Sequence, residues 1–234
     1  MKNIKKFSIL VLCLALTLSL TGCKDKAVSK YQNYVKSLIA LNYLGATDDY
    51  IKSTGANKED AQALYDSNVN LLARNILTYY NITISDSPEL DDKFLNLAKT
   101  IYSKVNYNVS KARKDGSVYL VDVTIYPIDL FNQAAPEVTK YVEKFNKGVS
   151  KGDYNDYTMD EYENEFASGM LDILTDASLN MTYTDPVTVT VEIIADGETY
   201  YISDRDFLRI DAAMFSTDVT SVVSTETDAE EEQN

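Results

Sequence analysis

The sequence predicts an α+β fold in which several helices pack on one face of an antiparallel sheet built from two β-hairpins. Three observations lead there. Apolar residues recur at helical spacing over 28–44, 57–79, 88–103, 136–149 and 158–177. They alternate with period two through Val105, Tyr107 and Val109, through Tyr119, Val121, Val123 and Ile125, and through Val187, Val189, Val191 and Ile193. Asp115-Gly116 and Asp196-Gly197 supply turn residues after an alternating run in each half. Helices and strands grouped in this way bury the stripe of each helix on the apolar sheet face.

In chain order, Val28, Tyr31, Val35, Leu38 and Asn42, widened by Ile39, mark a helix over about 28–44 that Gly45 ends. Asp48 to Ile51 is a short helical turn, broken at Thr54-Gly55. Asn57 caps a long helix with Ala61, Leu64, Tyr65, Val69, Leu72, Ile76 and Tyr79 on one face. Ser87-Pro88 reads as N-cap and first helical residue of the next, because proline loses nothing where the N–H has no intrahelical partner.

Parity sets the first hairpin. Directly opposed residues share a face, so a two-residue Asp-Gly loop would put the two apolar rows on opposite faces. A three-residue loop, Lys114-Asp115-Gly116, pairs Val109 with Val121 and Tyr107 with Val123, with Gly116 left-handed at a bulge. Pro136 then starts a helix carrying Val138, Tyr141, Val142, Phe145 and Val149, and Gly148 to Tyr157 is a loop. Thr158 to Glu161 has the capping-box pattern, opening a helix with Met159, Tyr162, Phe166, Met170, Ile173, Leu174 and Ala177 inward. In the second hairpin both parities are open, and a two-residue loop opposing Tyr200 to Ile193 and Ile202 to Val191 is preferred. Ser203 caps a last short helix with Phe207, Leu208 and Met214. The acidic, Ser/Thr-rich stretch 217–234 has too few large apolar groups to offset ordering entropy, and reads as a disordered tail.

Tyr34-Val35-Lys36 leading to Gly45 through Tyr50 is echoed by Tyr141-Val142-Glu143 leading to Gly152 through Tyr157. A duplicated helix-helix-hairpin unit, over 28–132 and 133–216, and a single domain with look-alike loops both satisfy that pattern.

The N-terminus is organised differently. Lys2, Lys5 and Lys6 precede a mostly apolar run from Phe7 to Leu20, shorter than the roughly 18 residues that read as a membrane-spanning helix. Leu20-Thr21-Gly22-Cys23 closes that run and resembles the lipobox of bacterial lipoproteins. The resemblance implies a signal peptide over 1–22, cleavage between Gly22 and Cys23, and a diacylglycerol on Cys23 that holds the protein on the outer face of the cytoplasmic membrane. Residues 23–27 would be the lipidated cysteine and a polar tether. Two acyl chains suffice for stable anchoring, whereas one holds only marginally.

Composition excludes more than it selects. Without residues 1–22 and their three lysines, 19 basic residues face 36 acidic ones, a formal balance of −17. Such a chain repels nucleic acid and anionic headgroups, so no nucleic-acid partner is expected and the lipid is the anchor. Histidine is absent, and beyond Cys13 and Cys23 there is no cysteine. Histidine-based triads, thiol nucleophiles and ordinary zinc sites are therefore out of reach, and neither metal nor cofactor is expected. Asp153 to Asp156 opens like a calcium loop, but Thr158 and Asn164 occupy its glycine and glutamate positions.

The helix-helix-hairpin grammar over roughly 28–215 resembles small Gram-positive lipoproteins of uncharacterised function, whose soluble parts are often cystatin-like or nuclear-transport-factor-like cones. The resemblance implies no functional residue. Two functions stay open. One is a non-catalytic module binding a small molecule or envelope protein through the polar sheet face, with Asn108, Leu120, Asp122, Tyr126, Thr190 and Glu192 as contacts. The other is a carboxylate- and tyrosine-dependent enzyme, of isomerase or dehydratase type, with a cone-shaped pocket. A helix covering that sheet face would remove the binding surface.

Overall fold

In a computed structural model that describes residues 24–196 and 199–217, the chain runs α1 (Lys24–Leu44), α2 (Thr47–Thr54), α3 (Lys58–Tyr79), α4 (Pro88–Tyr102), β1 (Asn106–Val109), β2 (Arg113–Asp115), β3 (Val118–Tyr126), α5 (Leu130–Lys151), α6 (Met159–Leu179), β4 (Val187–Asp196), β5 (Thr199–Tyr201) and α7 (Asp204–Ala212). The lipobox at Leu20-Thr21-Gly22-Cys23 and the tail beyond Thr217 lie outside the described residues. Residues 24–27, expected as tether, are the first turn of α1. Among the described residues, no helix is long and apolar enough to cross a membrane.

β3 is the centre of the sheet, paired antiparallel with β1 and β2 on one edge and with β4 on the other. That last pairing joins the two hairpins into one sheet. Its inner face carries Val121, Val123, Ile125, Val189, Val191 and Ile193, all buried, each such side chain contributing about 1.5–3 kcal/mol. The helices do not repeat their packing. α1 lies against the sheet and α3, whereas α5 packs on α6, which meets α4.

The first hairpin corrects its expected register. Val109 faces Val123 and Tyr107 faces Ile125, two residues further along β3 than expected, so the apolar rows still share a face. The odd residue that parity demands sits in a bulge and not in the loop. Ser110 to Ala112 oppose only Val121 and Asp122. Ser110 N–H donates to the Asp122 carbonyl at 2.9 Å, and its hydroxyl accepts the Asp122 N–H at 3.0 Å. A side chain thus replaces a ladder partner, and the small Ala112 tucks into the core. The loop shortens to Gly116-Ser117. Gly116, with φ +56°, supplies the positive φ that two-residue hairpin turns require at their first central residue.

In the second hairpin Tyr200 faces Ala195 and not Ile193, and Asp196 pairs with Thr199, leaving two residues between. The two-residue spacing holds, but Asp196 belongs to the strand. Ser87 precedes α4 as expected, yet its hydroxyl makes no capping bond. The capping box of Thr158 and Glu161 is complete.

α5 begins at Leu130, so Pro136 lies inside the helix. Proline there removes a hydrogen bond and costs about 3 kcal/mol. Leu130, Phe131 and Ala134 are each at most 2% exposed, and burying them outweighs the break. α5 also runs through Gly148, which is buried beneath Tyr154, and ends at Gly152. Met159, expected inward, is 69% exposed, because it opens α6 beyond the α5 contact.

Past β3, the backbone of Pro127 to Asp129 is held from two sides. Ile128 N–H donates to Met214 and Ile128 carbonyl accepts from Ser216, both at 2.9 Å, while Thr184 N–H donates to Pro127 and Asp129 N–H to Thr182, both at 3.0 Å.

Candidate functional site

The outer sheet face holds all six predicted contact residues, because each stands at an even position of β1, β3 or β4. None of the six is buried, so none of the described helices covers that face. Leu120 faces Glu192 on β4 and Arg113 on β2, and Asp122 faces Thr190. Asn108 and Tyr126 face Thr124 and Asn106 near the other end of the sheet. From Leu120 to Tyr126 is about 20 Å along the strand, so the six form a strip with one tight cluster.

That cluster is centred on Asp122. Its Oδ2 is bound by Arg113 Nη1, and its Oδ1 accepts from Thr190 Oγ1 at 2.6 Å. The Arg113 hydrogen bond first, and the Thr190 hydrogen bond second, hold the Asp122 carboxyl below the usual carboxylate range. With both oxygens engaged, Asp122 is an ion-pair partner and not a poised base.

Asp206 and Arg209 of α7 extend the cluster and were missing from the sequence prediction. Glu192 N–H donates to Asp206 Oδ2 at 3.1 Å, and Arg209 donates to the Thr190 carbonyl at 3.2 Å and to Asp206 Oδ1 at 3.1 Å. The Glu192 N–H and Thr190 carbonyl therefore point away from β3, which makes Asp122–Thr190 a non-hydrogen-bonded pair. Such pairs bring side chains closest, as the Thr190–Asp122 bond requires. Ser203 caps α7 through the Asp206 N–H at 3.1 Å, so the cap places Asp206 at N3, facing the strand edge. The cap was legible in sequence. Arg113 was not, since its face depends on the bulge.

Two further places bear on chemistry. An open groove of about 570 Å³ lies between α4 and α6, lined by Ser87, Glu89, Lys93, Tyr157, Glu161 and Asn164 among others. Its acids are exposed, and two of the three are engaged: Glu89 pairs with Lys93 at 2.7 Å, and Glu161 closes the capping box, beside Glu165. In the core, Tyr43 hydroxyl donates to Asp211 Oδ1 at 3.0 Å, packed beside Tyr102 and Phe207. Burial first, then the Asp211 charge, push the Tyr43 hydroxyl well above its ordinary pKa, which makes it a donor that keeps its proton.

No family model matches the sequence, and no curated protein matches it. Among solved structures, the fold is similar to the crystal structure of a candidate lipoprotein, ycdA, from Bacillus subtilis subsp. subtilis str. 168, with a TM-score of 0.55 and 17% identity over 83% of this chain. The match covers 60% of the Bacillus chain, so this chain spans less than two thirds of that protein's length. At this identity the likeness is one of fold.

Proposed function

We propose that the chain is a lipoprotein, held on the outer face of a bacterial cytoplasmic membrane by diacylglycerol on Cys23, which acts there as a non-catalytic binding module. Its contact surface is the outer sheet face around Asn108, Leu120, Asp122, Tyr126, Thr190 and Glu192, and its ligand is a small molecule or an envelope protein. The observation that carries this reading is the uncovered face itself, where half-exposed Leu120 and exposed Tyr126 flank a fully paired polar cluster. Apolar groups among satisfied polar ones suit a partner surface. A carboxylate enzyme finds less support, because Asp122 has no free oxygen. The lipobox pattern and the fold shared with a candidate lipoprotein support the anchor.

Two measurements test this. Metabolic labelling with a fatty-acid probe should mark the protein, and Cys23→Ala should abolish both label and membrane retention; a labelled, membrane-held variant refutes the anchor. A photo-crosslinking residue at position 120 or 126 of the anchored protein should give a discrete adduct that the same residue at position 159 does not. Identical patterns from all three positions refute the face.

A further inference from the structure

We infer that the ligand of the outer sheet face is an uncharged glycan, held by Asn106, Asn108, Thr124, Tyr126 and Thr188 at the end of the strip away from Leu120, which rests on that face being the contact surface.

Register brings the five together. Asn106 faces Tyr126, and Asn108 faces Thr124, which faces Thr188 on its other side. Two strand spacings of about 4.8 Å and two residues at about 3.3 Å each make a platform roughly 10 Å by 7 Å. β3 lies in its middle, so a ligand meets side chains there and no open strand edge. Asn106, Asn108, Tyr126 and Thr188 are exposed, and Thr124 is half-buried.

The polar groups of the platform are free to bond a ligand. Neither asparagine amide has a partner among the described residues, and each offers two N–H donors and a carbonyl acceptor. The Thr124 and Thr188 hydroxyls bond each other at 3.1 Å, and whichever of them donates, one O–H and lone pairs on both oxygens stay available. Asp122, further up the strip, differs in having both oxygens engaged.

Charge is absent from the platform. Residues 105–110, 123–128 and 186–191 contain no charged side chain, on a chain where 36 acidic residues oppose 19 basic ones beyond position 22. Lys104, Lys111 and Arg113 border these runs against Asp122, Asp129, Asp185 and Glu192, so the surroundings are near balance. An ionic ligand would be desolvated here with nothing to pair it, which is costly, whereas a neutral one would not.

A sugar has the matching chemistry. Each of its hydroxyls both donates and accepts, which suits amides and hydroxyls side by side, and the C–H face of its ring can pack on the exposed ring of Tyr126. A peptide fits less well. It needs a strand edge for main-chain pairing or apolar pockets for its anchors, and from Asp122 to Tyr126 this face carries no aliphatic side chain larger than threonine.

Chitotetraose is the probe, because its acetamido groups can bond an asparagine amide through both N–H and C=O. The lipidated full chain, captured in phosphatidylcholine vesicles, is titrated by surface plasmon resonance with chitotetraose, with cellotetraose, and with the anionic tetragalacturonate as control. At least one of the uncharged sugars should bind and tetragalacturonate should not. Tyr126→Ala and N106A/N108A should each weaken binding about ten-fold, whereas Lys140→Ala on α5 leaves it unchanged. Raising salt to about 1 M should not alter the affinity, since no charge is engaged. Binding that survives both platform variants, or no binding of either uncharged sugar, overturns the glycan. If a crosslinker at position 126 then still gives a discrete adduct, the face stands as a surface for a protein; if its pattern matches that from position 159, the face falls as well.

Discussion

Tyr43 and Asp211 are joined by a hydrogen bond of 3.0 Å across 168 residues of sequence, tying the helix at the start of the described chain to the one near its end. The hydroxyl is fully enclosed, between Tyr102 and Phe207. Tyr43→Phe keeps the ring and removes the donor, at an expected cost of about 1–2 kcal/mol. Urea unfolding checks this directly, and thermal scans should show roughly 2–4 °C for each kcal/mol in a domain of this size.

The same enclosure sets an alkaline limit. Tyr43 and Tyr102 have hydroxyl pKa values raised well above 10, by burial first and by Asp211 second. A group raised in the folded state contributes its stability in full below its unfolded pKa, and loses it as pH climbs toward the folded one. The protein should therefore hold its stability up to about pH 10 and unfold above it. Near-ultraviolet absorbance should show the late-ionising tyrosines titrating together with the loss of circular dichroism. Ionisation of every tyrosine with the fold intact would contradict this.

Asp122 behaves in the opposite sense. Its carboxyl is lowered by Arg113 and Thr190, so the pair contributes above the ordinary carboxylate pKa and is lost as pH falls through the lowered one. Arg113 and Asp122 are 49% and 32% exposed, which screens the pair. Asp122→Asn should cost no more than about 1 kcal/mol at neutral pH. The gap between variant and parent should close in acid, which chemical denaturation at stepped pH would reveal.

Gly169 is a test of close packing. A Cβ at that position would stand 2.2 Å from Tyr141 Cζ, and Tyr141 hydroxyl crosses above it to reach the Glu165 and Phe166 carbonyls at 3.1 and 3.3 Å. Alanine in an exposed helix normally gains up to about 1 kcal/mol over glycine. Here Gly169→Ala should lose about 1–3 kcal/mol. Combining it with Tyr141→Leu should recover part of that loss in a double-mutant cycle; purely additive losses would count against the contact.

Local pattern carried much of the architecture. Asn57 and Thr158 announced their helices because capping needs only neighbouring residues, and β3 and β4 showed their inner faces by alternation alone. What escaped depended on distant partners. The Ser110–Ala112 bulge exists because the Ser110 hydroxyl can stand in for a backbone carbonyl opposite Asp122, and no periodicity encodes that exchange. Pro136 looked like a start because the burial of Leu130 and Phe131 in a core built from other elements could not be seen. The strip of six contact residues followed from parity, whereas Arg113, Asp206 and Arg209 joined it only through the bulge and the docking of α7.

The clasp at Pro127 to Asp129 has a consequence for timing. Ile128 closes the first half of the chain, yet both of its backbone groups bond to residues 214 and 216. A newly made chain can form its local helices and the first hairpin as they emerge, but this junction stays unsatisfied until almost 90 further residues have followed. Completion of the fold is thus deferred to the last stage of synthesis, and a nascent chain halted before residue 214 should remain open to proteases that spare the finished protein.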